Sequence, residues 1–582
     1  MQIDKIEPPY WYTGMSDRHL QMLIYGKGVN AVIAGTSLPI ENDSIKVVNS
    51  DSNDYAIIHL TLKDNAEVGI YDVFLKNADG ELCTTSYELK EKRRRYSSEN
   101  SISNSDCVYL VMPDRFSSDQ PHAQKAKQDD WHGGNLRGLI GKLDYLSDLG
   151  VTAVWCTPVF KNQVRPISDK YYSYHGYSIT DFYEVDAHFG NRTDYVEFVE
   201  EAHRHQLKVV MDVVFNHCSI EHPFVANPPP KKWINRNEGL TNYKTTTIFD
   251  QYASNIDKRQ TVKGWFTKEM ADLNLDNNEL LTYMTQMTIW WIETASIDAI
   301  RMDTFLYSDL TAITKWLERL NTEYQGFSII GETWMGLPAY TARTQKECIE
   351  INPSFIVMDF AFQHQLTIFT DDMEKMHDSG MYDHFLNDIL YSNPHQVLAF
   401  LDNHDMPRWF DENDNTAKLK QAIGILLTSP RIPQIYYGTE ILLAGKGESK
   451  GDGFYRRDFP GGWPDDKEDK TIRAGRSHKE QSFFSFIQRL LKWRKTSKAI
   501  ARGGMKHYIP QNEVYVYFRT YETEKVMVVV NASRHCTLEL SHYEEDLADY
   551  KRGVDILTNK SIHIAESMKL KSNEIKIIQL EK

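Results

Sequence analysis

The pattern of apolar and polar positions changes character twice along this 582-residue chain. Up to about residue 95, short β-branched and aromatic runs such as 55–62 and 68–76 are separated by polar turn segments at 63–65 and 77–80, the signature of a β-sandwich. From residue 107, strand-length apolar runs alternate with longer stretches of helical periodicity, which predicts βα units around a parallel sheet. Eight such strands fall at 107–112, 153–156, 208–214, 297–302, 328–330, 355–358, 397–401 and 432–436. Between the first two, Leu136, Leu139, Ile140, Leu143, Leu146 and Leu149 share one face of a helix that Gly150 is placed to end. Tyr195, Phe198, Val199 and Ala202 repeat the spacing before the third strand, and 280–295 precedes the fourth. Past about residue 503 strands return, with 514–521 and 526–530 reading as a hairpin and 575–580 as the last strand.

Eight βα units predict an α/β fold closed into a (β/α)8 TIM barrel. A doubly wound open sheet is the rival, and the lack of a GxGxxG turn after the first strand argues against it. The expected organisation is an N-terminal β-sandwich (1–95), a barrel (106–217 and 271–500), a small insertion domain after strand three (218–270) and a C-terminal β-domain (503–582). The charged, then Ser/Asn-rich stretch 90–105 reads as a linker, and 444–477 as a second long loop. An interval as long as 218–270 with little periodicity predicts a lid over the barrel mouth.

Candidate chemistry collects at the strand ends, which in such a barrel form one ring at the active face. Strand three ends in DVVFNH, with Asp212, Asn216 and His217; strand four delivers Arg301 and Asp303 on one face. Strand five gives Glu332 with Trp334 beside it, and strand seven gives Asp402, Asn403, His404 and Asp405. A single Arg–Asp pair can equally be a structural cap on a strand. Four loaded strand ends converging on one rim point instead to catalysis.

Composition narrows the partners. The net charge of −15 argues against nucleic acid, and the basic run 92–95 is local enough to be a solvated linker. Aromatics at 12% suit stacking on sugar rings, although large cores also use them. Six scattered cysteines without a CxxC pair read as reduced packing residues. No 18-residue apolar run or leader pattern is present, so no membrane association and a cytoplasmic location are expected, or a periplasmic one if a leader has been removed.

In DVVFNH, IRMDTF, GETW and FLDNHD the sequence resembles the α-amylase family of retaining glycoside hydrolases, in order and on the expected strands. Tyr174-His175-Gly176-Tyr177 and Ala271-Asp272-Leu273-Asn274 resemble two further markers of that family. The opening IDKIEPPYWYTGM, YGKGV and RRDFPGGW resemble its neopullulanase/cyclomaltodextrinase-like branch, including bacterial starch-utilisation members. The resemblance implies Asp303 as nucleophile, Glu332 as general acid/base and Asp405 as the acid that grips the distorted sugar. It implies Tyr177, His217, Arg301, His404 and Trp334 as substrate contacts, an α-glucan oligosaccharide as substrate, and a homodimer formed through the N-terminal domain. A transglycosylase on the same site, or a non-catalytic glucan binder, are the alternatives.

The chain also departs from the family. Leu306 and Tyr307 stand where many α-amylases carry Lys-His. The stretch after Asp114-Arg115-Phe116 retains Asp119 and few other oxygen ligands, and Asn135 stands where Asp is common. No cofactor is expected; calcium, which wants six to eight oxygens, is the alternative, and the few oxygen ligands here count against it. Asp212 and Asn216 read as supports of the His217 loop, Trp155, Trp290 and Trp291 as core, His175 as either a loop residue or a sugar contact, and Arg456 and Trp463 as open between structure and substrate contact.

Overall fold

The eight apolar runs form a closed parallel barrel in the computed structural model, which describes residues 1–48, 50–92, 100–122, 126–166, 172–371, 380–411, 415–447 and 451–582. Its strands are β1 (Val108–Val111), β2 (Ala153–Cys156), β3 (Lys208–Val214), β4 (Ala299–Asp303), β5 (Ser328–Gly331), β6 (Phe355–Met358), β7 (Val397–Phe400) and β8 (Ile432–Tyr436). They pair in sequence order, and β8 returns to β1. Every strand residue except Lys208 is buried. Helices cover the outside and side chains fill the inside, so these strands read as continuous apolar runs without alternation.

The helix expected across 136–149 is two helices, Leu136–Ile140 and Leu143–Leu149. The break falls at Gly141-Lys142, where a poor helix former ends the first helix; the apolar face carries over into the second. Gly150 ends that second helix in the left-handed region (φ 103°), its N–H returning to the Leu146 carbonyl.

The excursion after β3 is pinned at its base. His217–Ser219 pairs antiparallel with Met270–Asp272, His217 opposite Asp272. Between them lie short helices, Pro223–Ala226 and Asn255–Lys263, and single turns. Residue 217 is therefore both the end of the barrel segment and the first rung of the insertion.

The N-terminal strands form two four-stranded sheets packed as a sandwich. They dock on the barrel helix Asn278–Ala295, where Tyr10 and Tyr12 hydroxyls reach Thr294 Oγ1 (3.0 and 2.9 Å) and Gln286 Nε2 donates to the Gln21 carbonyl (2.7 Å). Residues 93–99, which include most of the expected basic run and part of the linker, lie outside the described residues. At the other end a six-stranded antiparallel sheet packs on the barrel helix Thr416–Thr428. Contact there is close: a Cβ on Gly424 would lie 2.2 Å from Ile575 Cδ1. Among the described residues no helix is long and apolar enough to cross a membrane.

Candidate active site

Register builds the site. β3 and β4 pair so that Asp212 lies beside Arg301 and Val214 beside Asp303, and β4 pairs with β5 so that Met302 lies beside Gly331. Glu332, one residue past β5, donates its N–H to the Met302 carbonyl (3.0 Å). Three carboxylates consequently meet one guanidinium. Arg301 Nη1 contacts Asp212 Oδ1 (3.0 Å) and Asp303 Oδ1 (2.9 Å), and Nη2 contacts Glu332 Oε1 (2.6 Å). Asp303 and Glu332 are therefore held by the two terminal nitrogens of one guanidinium and line the same cleft.

Arg301, which the sequence places beside Asp303, pairs with both acids. The difference between them comes from their surroundings. Burial pushes the Glu332 carboxyl up to about 8, with Arg301 opposing the rise and the Asp303 and Asp405 charges adding to it. Burial also raises Asp303, against the pull of the Arg301 charge. Asp212 is raised to about 7 by burial. One cation cannot neutralise three buried carboxylates, so the cluster holds a proton near neutral pH.

The backbone supplies a further contact. Thr304, immediately after Asp303, sits in the left-handed region (φ 47°) and points its N–H at Glu332 Oε2 (2.7 Å). A β-branched residue there is strained, and such strain concentrates at functional positions.

The cleft above the cluster encloses about 600 Å³, its wall including Tyr177, His217, Asp303, Glu332, Trp334 and Asp405. Trp334, 48% exposed, stacks on Phe360 and joins this space to a second lobe of about 810 Å³ that shares Asp405 and Asp452. His217 lies flat on Phe266 of the insertion (ring centroids 5.1 Å apart), and Asn216 Nδ2 reaches its Nδ1 (3.2 Å). Burial takes His217 down to about 3, so it meets a ligand as neutral imidazole.

Arg301 and His404 lie one layer below the cleft. His404 is fully buried, its Nε2 shared between the Tyr177 hydroxyl (2.7 Å) and Asp405 Oδ2 (3.1 Å). Tyr177 stacks on His404 and donates to Asp212 Oδ2 (2.9 Å). Asp212 thus supports Tyr177 and Arg301, with Trp155 Nε1 also donating to it (3.0 Å), and does not serve the His217 loop as expected. Asn216 does serve that loop.

Trp155, Trp290 and Trp291 are core, as expected. Trp463 is turned away, stacked on His122 (4.4 Å), while Arg456 reaches the cleft and clamps Asp405 Oδ1 and Asp452 Oδ2 (3.1 Å each). His175 is on the cleft wall. Sequence reading missed Asp452, Phe266 and Tyr243, which come from long loops without periodicity. Asp402 accepts from the Trp409 N–H (3.0 Å) and shapes the turn.

At the position where the family resemblance implies a calcium loop, Asn135 Nδ2 donates to Asp119 Oδ1 (2.8 Å), an N–H where a cation needs an oxygen. These residues do not fit the ion. Among the described residues no group of three His, Cys, Asp or Glu is arranged to hold a metal.

A parallel barrel with buried, differently tuned acids on its carboxyl rim defines a glycoside-hydrolase-like class of site. Comparison with known proteins agrees. Residues 110–503 match the Alpha amylase catalytic domain model, 5–94 the Cyclomaltodextrinase N-terminal model and 505–579 the Cyclo-malto-dextrinase C-terminal model. The chain belongs to the alpha-amylase family, in its cyclomaltodextrinase-like branch. It is 27% identical over 480 residues to the Beta/alpha-amylase of Paenibacillus polymyxa, an alignment covering 78% of this chain and 36% of that protein. With the Cyclomaltodextrinase of Thermoanaerobacter pseudethanolicus it is 26% identical, over 74% of this chain and 70% of that one. The alpha-amylase of Geobacillus thermoleovorans, solved with acarbose, superposes with a TM-score of 0.68 at 25% identity, over 82% of this chain and 99% of the other.

Proposed function

We propose that this protein hydrolyses α-1,4-glucosidic bonds of maltooligosaccharides, cyclodextrins or pullulan and starch with retention of configuration. The observation that carries this is the pairing of Asp303 and Glu332 with the two terminal nitrogens of one guanidinium, beneath a cleft that Asp405 also lines. Asp303, favoured in its ionised form by Arg301, attacks the anomeric carbon and forms a covalent glycosyl-enzyme. Glu332, carrying a proton at neutral pH, gives it to the departing glucosidic oxygen. It then takes a proton from the water that opens the ester. Asp405 and the neutral His217 hold hydroxyls of the reacting glucose, and Tyr177 offers its ring to the sugar face. Arg301 and His404 act through these groups as positioning residues, and Trp334 stacks on a neighbouring sugar. Two joined lobes support a substrate longer than one residue on each side of the acids.

Digests of cyclodextrin, pullulan and soluble starch, with anomer detection, test the reading. The α-anomer is expected first, and Asp303→Ala protein that turns over normally would reject the assignment. Transglycosylation is the second reading, favoured by an apolar wall of Tyr243, Phe266 and Tyr307 that can seat an acceptor sugar. Products longer than the substrate would reveal it.

The N-terminal domain is also the proposed dimer surface. One face of its second sheet exposes Ile33, Ile70, Phe74 and Leu82, and sedimentation of a Phe74→Glu variant tests the assignment. Six unpaired thiols support a reducing, cytoplasmic setting.

A further inference from the structure

Away from the barrel mouth, a cleft of about 400 Å³ opens where three elements meet: the first turns of Thr416–Thr428, the middle of His478–Arg494, and the C-terminal-domain turn at 571–575. Each contributes one cation, Lys420, Arg489 and Lys571 respectively. The one acid in its wall, Glu574, is already engaged, with Lys576 Nζ on one oxygen (3.1 Å) and the Lys571 N–H on the other (2.7 Å). None of the three cations pairs with a carboxylate among the described residues. In a chain of net charge −15, three unneutralised cations around one hollow are a local reversal of sign.

The details fit an anion better than solvent. Lys420 is half-buried, and burial alone lowers its pKa; its Nζ reaches only Ser482 Oγ (3.3 Å) and lies 5.6 Å from the Phe486 ring centre. Arg489 uses one Nη on the Leu557 carbonyl, which fixes the fork and leaves its other donors free. Ser485 lines the same wall, and Phe486 presents a partly buried aromatic face. A planar carboxylate is satisfied by a single arginine fork, whereas three cations from three elements lining one hollow suit a tetrahedral dianion. The hollow is larger than a phosphate, and an aromatic face beside hydroxyls suits a sugar.

We propose that this cleft binds a phosphomonoester of a sugar, its phosphoryl group held by Lys420, Arg489 and Lys571 and its ring laid on Phe486. The site is independent of the glucan reading, because it lies on the outside of the barrel against the C-terminal domain.

The test is titration calorimetry on the full chain with glucose 6-phosphate, inorganic phosphate and glucose at fixed ionic strength. A maltooligosaccharide on Asp303→Ala protein keeps the barrel cleft filled. Saturable binding of glucose 6-phosphate, weaker binding of phosphate and none of glucose are expected. Lys420→Gln/Lys571→Gln should weaken both anions about tenfold or more, as lost charge-assisted hydrogen bonds do, while Lys420→Arg keeps them. Phe486→Leu should reduce glucose 6-phosphate to the affinity of phosphate and leave phosphate unchanged. Thermal melts confirm that each variant is folded. Absence of saturable binding, or equal binding by the Lys420→Gln/Lys571→Gln protein, overturns the proposal. Phosphate binding that matches glucose 6-phosphate and ignores Phe486→Leu overturns the sugar half and identifies a free-phosphate site.

Discussion

Replacing Glu332 with Gln tests the electrostatics of the acid cluster directly. The substitution keeps the shape and an acceptor oxygen for the Thr304 N–H, and removes the ionisable proton. In the native protein the group is raised from 4.5 to about 8, so the folded state holds this proton more tightly than the unfolded chain does. At about 1.4 kcal/mol per unit, the preference for the protonated form is on the order of 5 kcal/mol, shared with the Asp212 and Asp303 titrations to which it is coupled. The sign follows from linkage. Between the unfolded and folded values the native state binds more protons, so this contribution to stability is whole below about 4.5 and is lost as pH rises through about 8. Between pH 5 and 9.5 the melting temperature of Glu332→Gln should thus gain steadily on the parent's as pH rises, from a lower start set by the amide N–H that the variant turns against Arg301 Nη2. Activity should move oppositely. Turnover of a maltooligosaccharide should fall by about 10³-fold or more, and turnover of a maltosyl fluoride, whose leaving group needs no proton, by much less in its first step. A variant that tracks the parent's melting curve at every pH, or that cleaves oligosaccharides normally, would refute the reasoning.

Other positions give sharper geometric tests. Asp303→Asn should abolish turnover by about 10³-fold or more while the protein stays folded, which circular dichroism and activity together check. Thr304→Gly keeps the N–H aimed at Glu332 and suits the left-handed backbone, so melting temperature and activity should stay near the parent's; Thr304→Pro has neither the N–H nor the φ, and should lose both. Tyr177→Phe removes the hydroxyl between Asp212 and His404 and should lower kcat/KM by about tenfold, read by steady-state kinetics. Adding a calcium chelator should leave both the melting curve and turnover unchanged, since Asn135 turns a donor toward Asp119.

What the sequence made legible was whatever local pattern carries. The eight apolar runs, the carboxyl-end residues and the stop at Gly150 each follow from a few neighbouring positions, and the structure has them all. The break at Gly141 was hidden because apolar residues on both sides of it still share a face. Partners across strands were not legible at all. That Arg301 would meet three acids depends on β3, β4 and β5 pairing at Asp212–Arg301 and Met302–Gly331, contacts far apart in the chain. For the same reason His404 could be placed at a strand end but not at its depth, beneath Tyr177. Arg456 has no legible role in the sequence because its loop has no period, and the clamp on Asp405 and Asp452 exists only once that loop folds back over the mouth.

The depth of Arg301 carries a consequence for how the site works. A guanidinium at the cleft surface would pair with substrate and be screened by water; one layer down, it remains fixed while the carboxylates above it exchange charge. In the proposed mechanism, Asp303 loses its negative charge to the glycosyl ester, which removes one of the charges that add to burial in raising Glu332 and so favours the ionised Glu332 needed to activate water. When the ester opens, the charge returns to Asp303 and the proton to Glu332. In that mechanism burial raises both acids and the one cation they share opposes the rise at each in turn, so replacing Arg301 by Met should slow the second half of the cycle as well as the first.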